Sequence, residues 1–382
     1  MDFRDSPEEL EFRTQFRAWL AENAPREPIP AEPDARAHFL NAWHRKLYAA
    51  GYIGLSFPVE YGGRGLPPTF EAIFNDELGA AGAPSGPVFG HISNAVRLHG
   101  SNAQKKQHLP GMLSSEVRWC QGFSEPGAGS DLANLSTRAE AVEKDGVVTS
   151  YRITGQKIWT SEAVWSDWCL LLARSDPESK RHRGISVFLV PMDTPGVDAR
   201  VVVTSSGAHE FADVFFDAAE VSAENMLGEP GKGWGIAMSL LGYERGPADI
   251  GWVSRFGRTL RLLEDQAKRG ELRRESSLRT SLARAYVDLR ALQVQVQRTL
   301  SSRMDGSTPG PEGSIDKLLM TRTDQNLHNT MMDLRGAAPL LDDGLDMDLY
   351  FWSRAQSIFG GTSQVQRDIV AQRLLGLPRA AK

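Results

Sequence analysis

Four short segments carry residue types whose spacing could do chemistry. In the first, Cys120-Gln-Gly-Phe-Ser-Glu-Pro-Gly-Ala-Gly-Ser-Asp131, the glycines Gly122, Gly127 and Gly129 with Pro126 and two hydroxyls let the backbone approach a planar or phosphorylated ligand and aim amide N–H groups at it. By composition alone the same stretch reads as a surface turn. The second, Ile153-Thr-Gly-Gln-Lys-Ile-Trp-Thr-Ser161, ends a strand-like run with Trp159 beside Thr160 and Ser161. An indole there can flank a conjugated ring while the hydroxyls bond its edge, although a tryptophan is equally at home filling a core. The third, Leu240-Leu-Gly-Tyr-Glu-Arg-Gly-Pro247, sets Glu244 in an apolar helical face ahead of a Gly-Pro pair expected to kink the helix. A carboxylate partly withdrawn from water has a raised pKa and can act as a general base near neutrality, while the bland alternative is a solvated Glu-Arg neighbour. The fourth, Ile358-Phe-Gly-Gly-Thr-Ser-Gln-Val-Gln-Arg367, is a Gly-Gly turn leading into a helix N-terminus whose N–H groups could hold a carbonyl or phosphate oxygen.

Composition narrows the chemistry. With a formal net charge of -5 over 382 residues and dispersed Lys and Arg, the chain lacks the concentrated basic face that nucleic acid requires. Its two cysteines, Cys120 and Cys169, form no CxxC pair and adjoin no spaced histidines, so reduced thiols and no metal are expected. Nucleotide-binding GxGxxG after a strand, GxxxxGK[ST] and the zinc motif HExxH are all absent. The start, MDFRDSPEELEF, is acidic and helical where a secretory signal needs a basic start and an apolar stretch. No apolar run approaches the ~20 residues that span a bilayer, so a cytoplasmic protein with no membrane insertion is expected.

The elements that must position these segments fall into three regions. Ser6-Pro7-Glu8-Glu9 reads as a capped helix start, followed by an apolar stripe of Leu10, Phe16 and Leu20. A second helix carries Phe39, Trp43 and Leu47 and stops near Gly51, and a third runs from about Thr69 to Leu78 and stops near Gly82. From about Arg118 the texture changes to β-rich runs, VVTSYRITG, WCLLLAR, GISVFLVPM, DARVVVT and FADVFFD, which predict a small antiparallel barrel or sandwich ending near Leu227-Gly228. Beyond Glu229-Pro-Gly-Lys-Gly-Trp-Gly235 helical periodicity returns, first through Leu240, Leu241, Ile250, Val253, Phe256, Leu260 and Leu263. Further helices are expected at about Leu278 to Arg303, Ile315 to Leu334 and Leu349 to Leu374, and four long amphipathic helices predict a bundle.

Taken jointly and in order, the segments resemble the acyl-CoA dehydrogenase family over nearly the whole chain. FSEPGAGSD, GQKIWTS and GGTSQVQR are the specific motifs; Tyr61-Gly-Gly-Arg-Gly65, Gly100, Gln104-Lys105 and Leu109-Pro110 match the family's earlier pattern. The resemblance implies an α+β multidomain fold: an N-terminal α-helical domain (1–117), a central β-barrel (118–228) and a C-terminal four-helix bundle (229–382). It implies FAD as cofactor, approached by Gln121, Phe123, Ser124, Gly129, Ser130, Trp159, Ser161, Thr362 and Gln364. It implies an acyl-CoA substrate, expected at Ser130, Tyr243 and Arg245, and an electron-transfer flavoprotein as acceptor.

One departure redirects the mechanism. Many members carry the catalytic Glu directly before the Gly-Thr of the last motif, and here that position is Gly360. A subset of the family places its base in a Glu-Arg pair on a bundle helix, which Glu244-Arg245 matches. Glu244 is therefore the expected base, and the Gly360 backbone N–H is expected to polarise the thioester, the product being a trans-2-enoyl-CoA. Family positions that reach a neighbouring subunit's FAD read here as Ala267-Lys268-Arg269 and Met332-Asp-Leu-Arg-Gly-Ala337. With the GGTS turn, this divergence resembles members from bacterial sterol side-chain degradation and implies a bulky or branched acyl group. Homotetramer, dimer and heterotetramer stay open, as do an acyl-CoA oxidase, a flavin monooxygenase and a non-catalytic partner subunit on the same scaffold.

Overall fold

The computed structural model describes residues 4–85, 90–179, 181–243, 247–270, 272, 275–303, 310–341 and 345–378. In chain order the helices are α1 (Pro7–Asn23), α2 (Pro33–Ala49), α3 (Pro68–Ala81), α4 (Gly90–His99), α5 (Asn102–Ser114), α6 (Gly233–Tyr243), α7 (Pro247–Arg269), α8 (Ser276–Arg303), α9 (Gly313–Arg335), α10 (Ala338–Leu341), α11 (Leu345–Ala355) and α12 (Ser363–Ile369). The strands are β1 (Trp119–Gly122), β2 (Arg138–Lys144), β3 (Val147–Ser161), β4 (Trp168–Arg174), β5 (Ile185–Pro191), β6 (Val197–Val202), β7 (Phe211–Ser222) and β8 (Met226–Leu227).

One compact unit comprises Ile29–Gly65 and Gly86–Tyr243. Its strands form an eight-stranded sheet in the order β6-β7-β3-β2-β4-β5-β8, with β1 paired to β4. The nearly continuous apolar runs of β4 and β5, broken only by the buried Ser186, fit burial on both faces. Cys169, Leu171, Ala173, Phe188 and Val190 point into the core enclosed by the strands, while Leu170, Leu172, Val187 and Leu189 point the other way into a second core with Ile92 and Val96 of α4, Leu109 and Met112 of α5, and Ile236 and Leu240 of α6. The sheet is mostly antiparallel rather than wholly so, because β1 joins β4 in parallel, Cys120 opposite Cys169, and β2 meets β4 in parallel at Arg138 and Arg174. The short β1, the charged β2 and the two-residue β8 lie outside the five expected β-runs.

The second unit comprises Met1–Pro28, Leu66–Ser85 and Glu244–Lys382, and so gathers α1 and α3 with the C-terminal helices. The α1 start is the capping box read from sequence: Glu9 N–H donates to Ser6 Oγ (3.2 Å) and Ser6 N–H to the Glu9 carboxylate (2.8 Å). The apolar stripe is Phe12, Phe16 and Leu20; Leu10 is instead 55% exposed, because it lies about 200° around the helix from Phe12. Arg13 and Arg17 of α1 both donate to the buried Glu77 carboxylate of α3, Arg13 at 2.8 Å and Arg17 at 2.7 Å. Helices α3 and α7 pack backbone to backbone, since a Cβ on Gly79 would lie 2.3 Å from the Gly251 carbonyl oxygen.

One expected helix is divided. The periodicity through Leu240 to Leu263 falls on α6 and α7, with residues 244–246 between them outside the described residues. The stretch from Leu349 to Leu374 is broken after α11, because Gly360 (φ 60°) and Gly361 (φ 86°) adopt left-handed backbone that no helix can contain. The chain restarts at α12 and closes with a π-helical turn over Val370–Leu374. No helix among the described residues is long and apolar enough to cross a membrane.

Candidate active site

The first two sequence segments meet within the strand-bearing unit. The loop leaving β1 turns tightly at Glu125, whose N–H donates to the Ala128 carbonyl oxygen (3.1 Å) while Ala128 N–H returns to that of Glu125 (3.0 Å). Ile158 N–H of β3 donates to the Ser124 carbonyl oxygen (2.9 Å), joining the loop to the strand that carries Trp159. Beneath them lies an ion pair that sequence reasoning missed. Lys157 Nζ, wholly buried, donates to Glu125 Oε1 at 2.8 Å and to the Phe123 carbonyl oxygen at 3.1 Å. The Glu125 carboxylate also accepts from Ser136 N–H (2.6 Å), Ser136 Oγ (2.7 Å) and Thr137 N–H (2.9 Å). Burial by itself would raise the Glu125 carboxyl, but the Lys157 ammonium and these hydrogen bonds outweigh it and hold it at about 2. Strand parity was the available signal: Tyr151, Ile153 and Lys157 are all buried on β3, so a lysine falls on an inward-facing position and requires a carboxylate.

Trp159 occupies a β-bulge. Across the β3–β7 ladder Lys157 pairs with Val214 and Thr160 with Ala212, so three steps on one strand face two on the other. The extra residue takes φ 58°, a backbone that costs a bulky L residue about 1–3 kcal/mol, and its indole is 56% exposed. A bulge re-aims a side chain, and here it turns outward a ring that would otherwise be buried. Next to it in sequence, Thr160 is fully buried and its Oγ1 has no hydrogen-bond partner among the described residues. Phe123 is buried, Gln121 and Ser124 are half-buried, and Gly129, Ser130 and Ser161 are exposed. A Cβ on Gly127 or Gly129 would meet nothing within 4 Å, which leaves the loop open to close approach. An outward indole, an unpartnered hydroxyl and an open glycine turn fit a flat conjugated cofactor such as FAD.

The fourth segment lies in the other unit. Gln366, fully buried, donates through Nε2 to the carbonyl oxygens of Gly360 (2.9 Å) and Gly361 (3.3 Å) and so braces the left-handed turn. Thr362 caps α12, its Oγ1 accepting from Val365 N–H (3.2 Å), and Gln364 is exposed. Lys317 of α9 donates to Gln356 Oε1 (2.8 Å) and sets its ammonium 4.3 Å from the Phe359 ring centroid, beside Gly360. Gln366 and Lys317 were also missed: Gln366 has its partners only because the turn at Gly360 forms, and Lys317 finds Gln356 39 positions away. Of the third segment, Tyr243 is the half-buried last residue of α6, and Glu244 and Arg245 lie outside the described residues.

Comparison with known proteins is consistent with this geometry. Three family models match in succession: acyl-CoA dehydrogenase N-terminal domain over residues 6–116, middle domain over 120–219 and C-terminal domain over 231–375. The chain belongs to the acyl-CoA dehydrogenase family, and it is an FAD-dependent oxidoreductase with the family's helical, β-barrel and helical-bundle fold. It is 38% identical over 391 residues to acyl-CoA dehydrogenase IpdE1 of Mycolicibacterium smegmatis, covering 97% of this chain and 98% of the relative. It is 31% identical to acyl-CoA dehydrogenase FadE26 of Mycobacterium tuberculosis over 98% of both. Among solved structures, the Tcur3481-Tcur3483 steroid ACAD superposes over all of both chains with a TM-score of 0.86 at 29% identity. The ChsE4-ChsE5 complex from Mycobacterium tuberculosis gives 0.82 at 28%, again over all of both chains.

Proposed function

We propose that the chain carries out α,β-dehydrogenation of a bulky or branched acyl-CoA thioester, giving the trans-2-enoyl-CoA. Trp159 carries the reading: a strained bulge that exposes a large ring beside an open glycine turn is costly unless a flat cofactor uses it. Family membership supports acyl-CoA as the substrate, and the similarity to a steroid ACAD supports a bulky acyl group.

Glu244 removes the α-proton. The Gly360 backbone N–H polarises the thioester carbonyl and stabilises charge developing on its oxygen. Bound FAD supplies the hydride acceptor. Gln121, Phe123, Ser124, Gly129, Ser130, Trp159, Ser161, Thr362 and Gln364 hold that cofactor; Ser130, Tyr243 and Arg245 contact the acyl-CoA. Electrons pass on to an electron-transfer flavoprotein in the cytoplasm. The domains divide at 117/118 and 228/229, and the two-chain names of the neighbouring structures favour an oligomer, heteromeric included.

The test is anaerobic bleaching of the visible flavin absorbance in purified protein offered linear, branched and steroid-derived acyl-CoAs, compared with Glu244→Gln. Bleaching that disappears in the variant while FAD stays bound is expected. Equal bleaching in the variant removes Glu244 as base, and a chain that takes up no flavin points to a non-catalytic partner subunit. Peroxide formed at full turnover without a carrier points to an oxidase.

A further inference from the structure

Lys157 and Glu125 are 0% and 3% exposed at the side chain, and neither has been assigned a chemical task above. Burying two charges costs several kcal/mol, and an apolar pair of the same shape is often as stable. Their contacts point to what the charge does. Lys157 lies on β3 two residues before Trp159, and its ammonium reaches Phe123 and Glu125 on the incoming side of the glycine loop. Glu125 reaches Ser136 and Thr137 on the outgoing side. One lysine and one glutamate thus close the neck of the loop and tie that neck to the bulged strand.

We propose that Glu125 and Lys157 are a positioning pair for the flavin, holding the loop's outward amides and the Trp159 indole in one fixed relation. The pair rests on the assignment of Phe123, Ser124 and Trp159 to FAD. A charged clamp suits this task because its bonds are directional. Apolar packing would fill the same volume yet let the loop neck slide against the strand.

The test uses the full chain with and without FAD. In Glu125→Gln/Lys157→Met both charges go together, so no unpaired charge is left buried. The flavin-free protein is expected to melt near the wild-type temperature. The FAD dissociation constant is expected to rise about tenfold or more, as a misplaced contact of ~1 Å can cost that much, with a changed visible band shape and a shifted flavin midpoint potential. Ser136→Ala, which removes one exposed hydroxyl bonded to Glu125, is the variant that folds regardless, and it is expected to weaken FAD about threefold at an unchanged melting temperature. Wild-type FAD affinity and band shape in Ser136→Ala and in the folded double variant would overturn the proposal. Trp159→Ala separates the two ideas. If it leaves flavin affinity and spectrum untouched, the assignment of this surface to FAD fails; if it moves them and the other variants do not, only the positioning role fails.

Discussion

The Trp159 indole meets the Phe211 ring edge to face, with centroids 5.8 Å apart and planes at 85°. Phe211 pairs with Ser161 across the ladder, so the contact braces the outward ring from the strand that faces the bulge. Edge-to-face pairs add about 0.5–1.5 kcal/mol beyond burial. Trp159→Gly removes the ring and the left-handed strain together. Calorimetry should find the flavin-free variant at least as stable as wild type, while flavin titration finds FAD bound roughly tenfold more weakly. Equal loss in both experiments would mark the indole as core packing.

Gly360 has room for a side chain, since the nearest atoms to an added Cβ are Lys317 Cε at 3.7 Å and Nζ at 3.8 Å, but its φ of 60° does not favour one. Gly360→Ala should therefore lower unfolding free energy by about 1 kcal/mol through backbone strain alone. Urea unfolding of the flavin-free protein measures this, and an unchanged midpoint would show that the turn relaxes.

Acid should weaken the fold through Glu125. Its carboxyl stands at about 2 in the folded chain against an ordinary value of 4.5, so its stabilisation is complete above about 4.5 and is lost as pH falls towards 2. The shift corresponds to about 3 kcal/mol. Denaturant titrations at stepped pH should show a steeper acid loss in wild type than in Glu125→Gln/Lys157→Met; parallel slopes would mean other carboxylates dominate.

Glu77→Ala should release α1. Removing the carboxylate leaves Arg13 with Asp5 and Asp76, while the largely exposed Arg17 loses its bond to α3. Losing these charge-assisted hydrogen bonds costs about 1–3 kcal/mol. Hydrogen exchange should speed up along α1 before it does in β4 and β5, and uniform acceleration would instead indicate global destabilisation.

Much of the fold could be read because local chemistry wrote it. Ser6 and Glu9 sit three apart and cap α1 through local bonds, and the β-rich runs that became β4 and β5 read as strands, although their cover on both faces came only with the structure. The turn at Gly360-Gly361 was legible as a Gly-Gly turn into a helix N-terminus, although apolar residues on either side of it also keep the spacing of one longer helix. At the site, Trp159 was visible as an aromatic among hydroxyls, but its bulge exists only in register with β7. Glu125 and Lys157 were hidden for the same reason: their partners lie as far as 34 positions apart, and no local pattern links them.

The abutting glycines of α3 and α7, Gly79 and Gly251, also set an order of events in synthesis. Helix α3 leaves the ribosome early, yet the helix it abuts is translated only after every strand has passed. At ordinary elongation rates that wait is on the order of ten to thirty seconds. For that interval Phe12 and Phe16 of α1 can already pack on Phe70 and Phe74 of α3, while the α3 face around Gly79 waits for its cover.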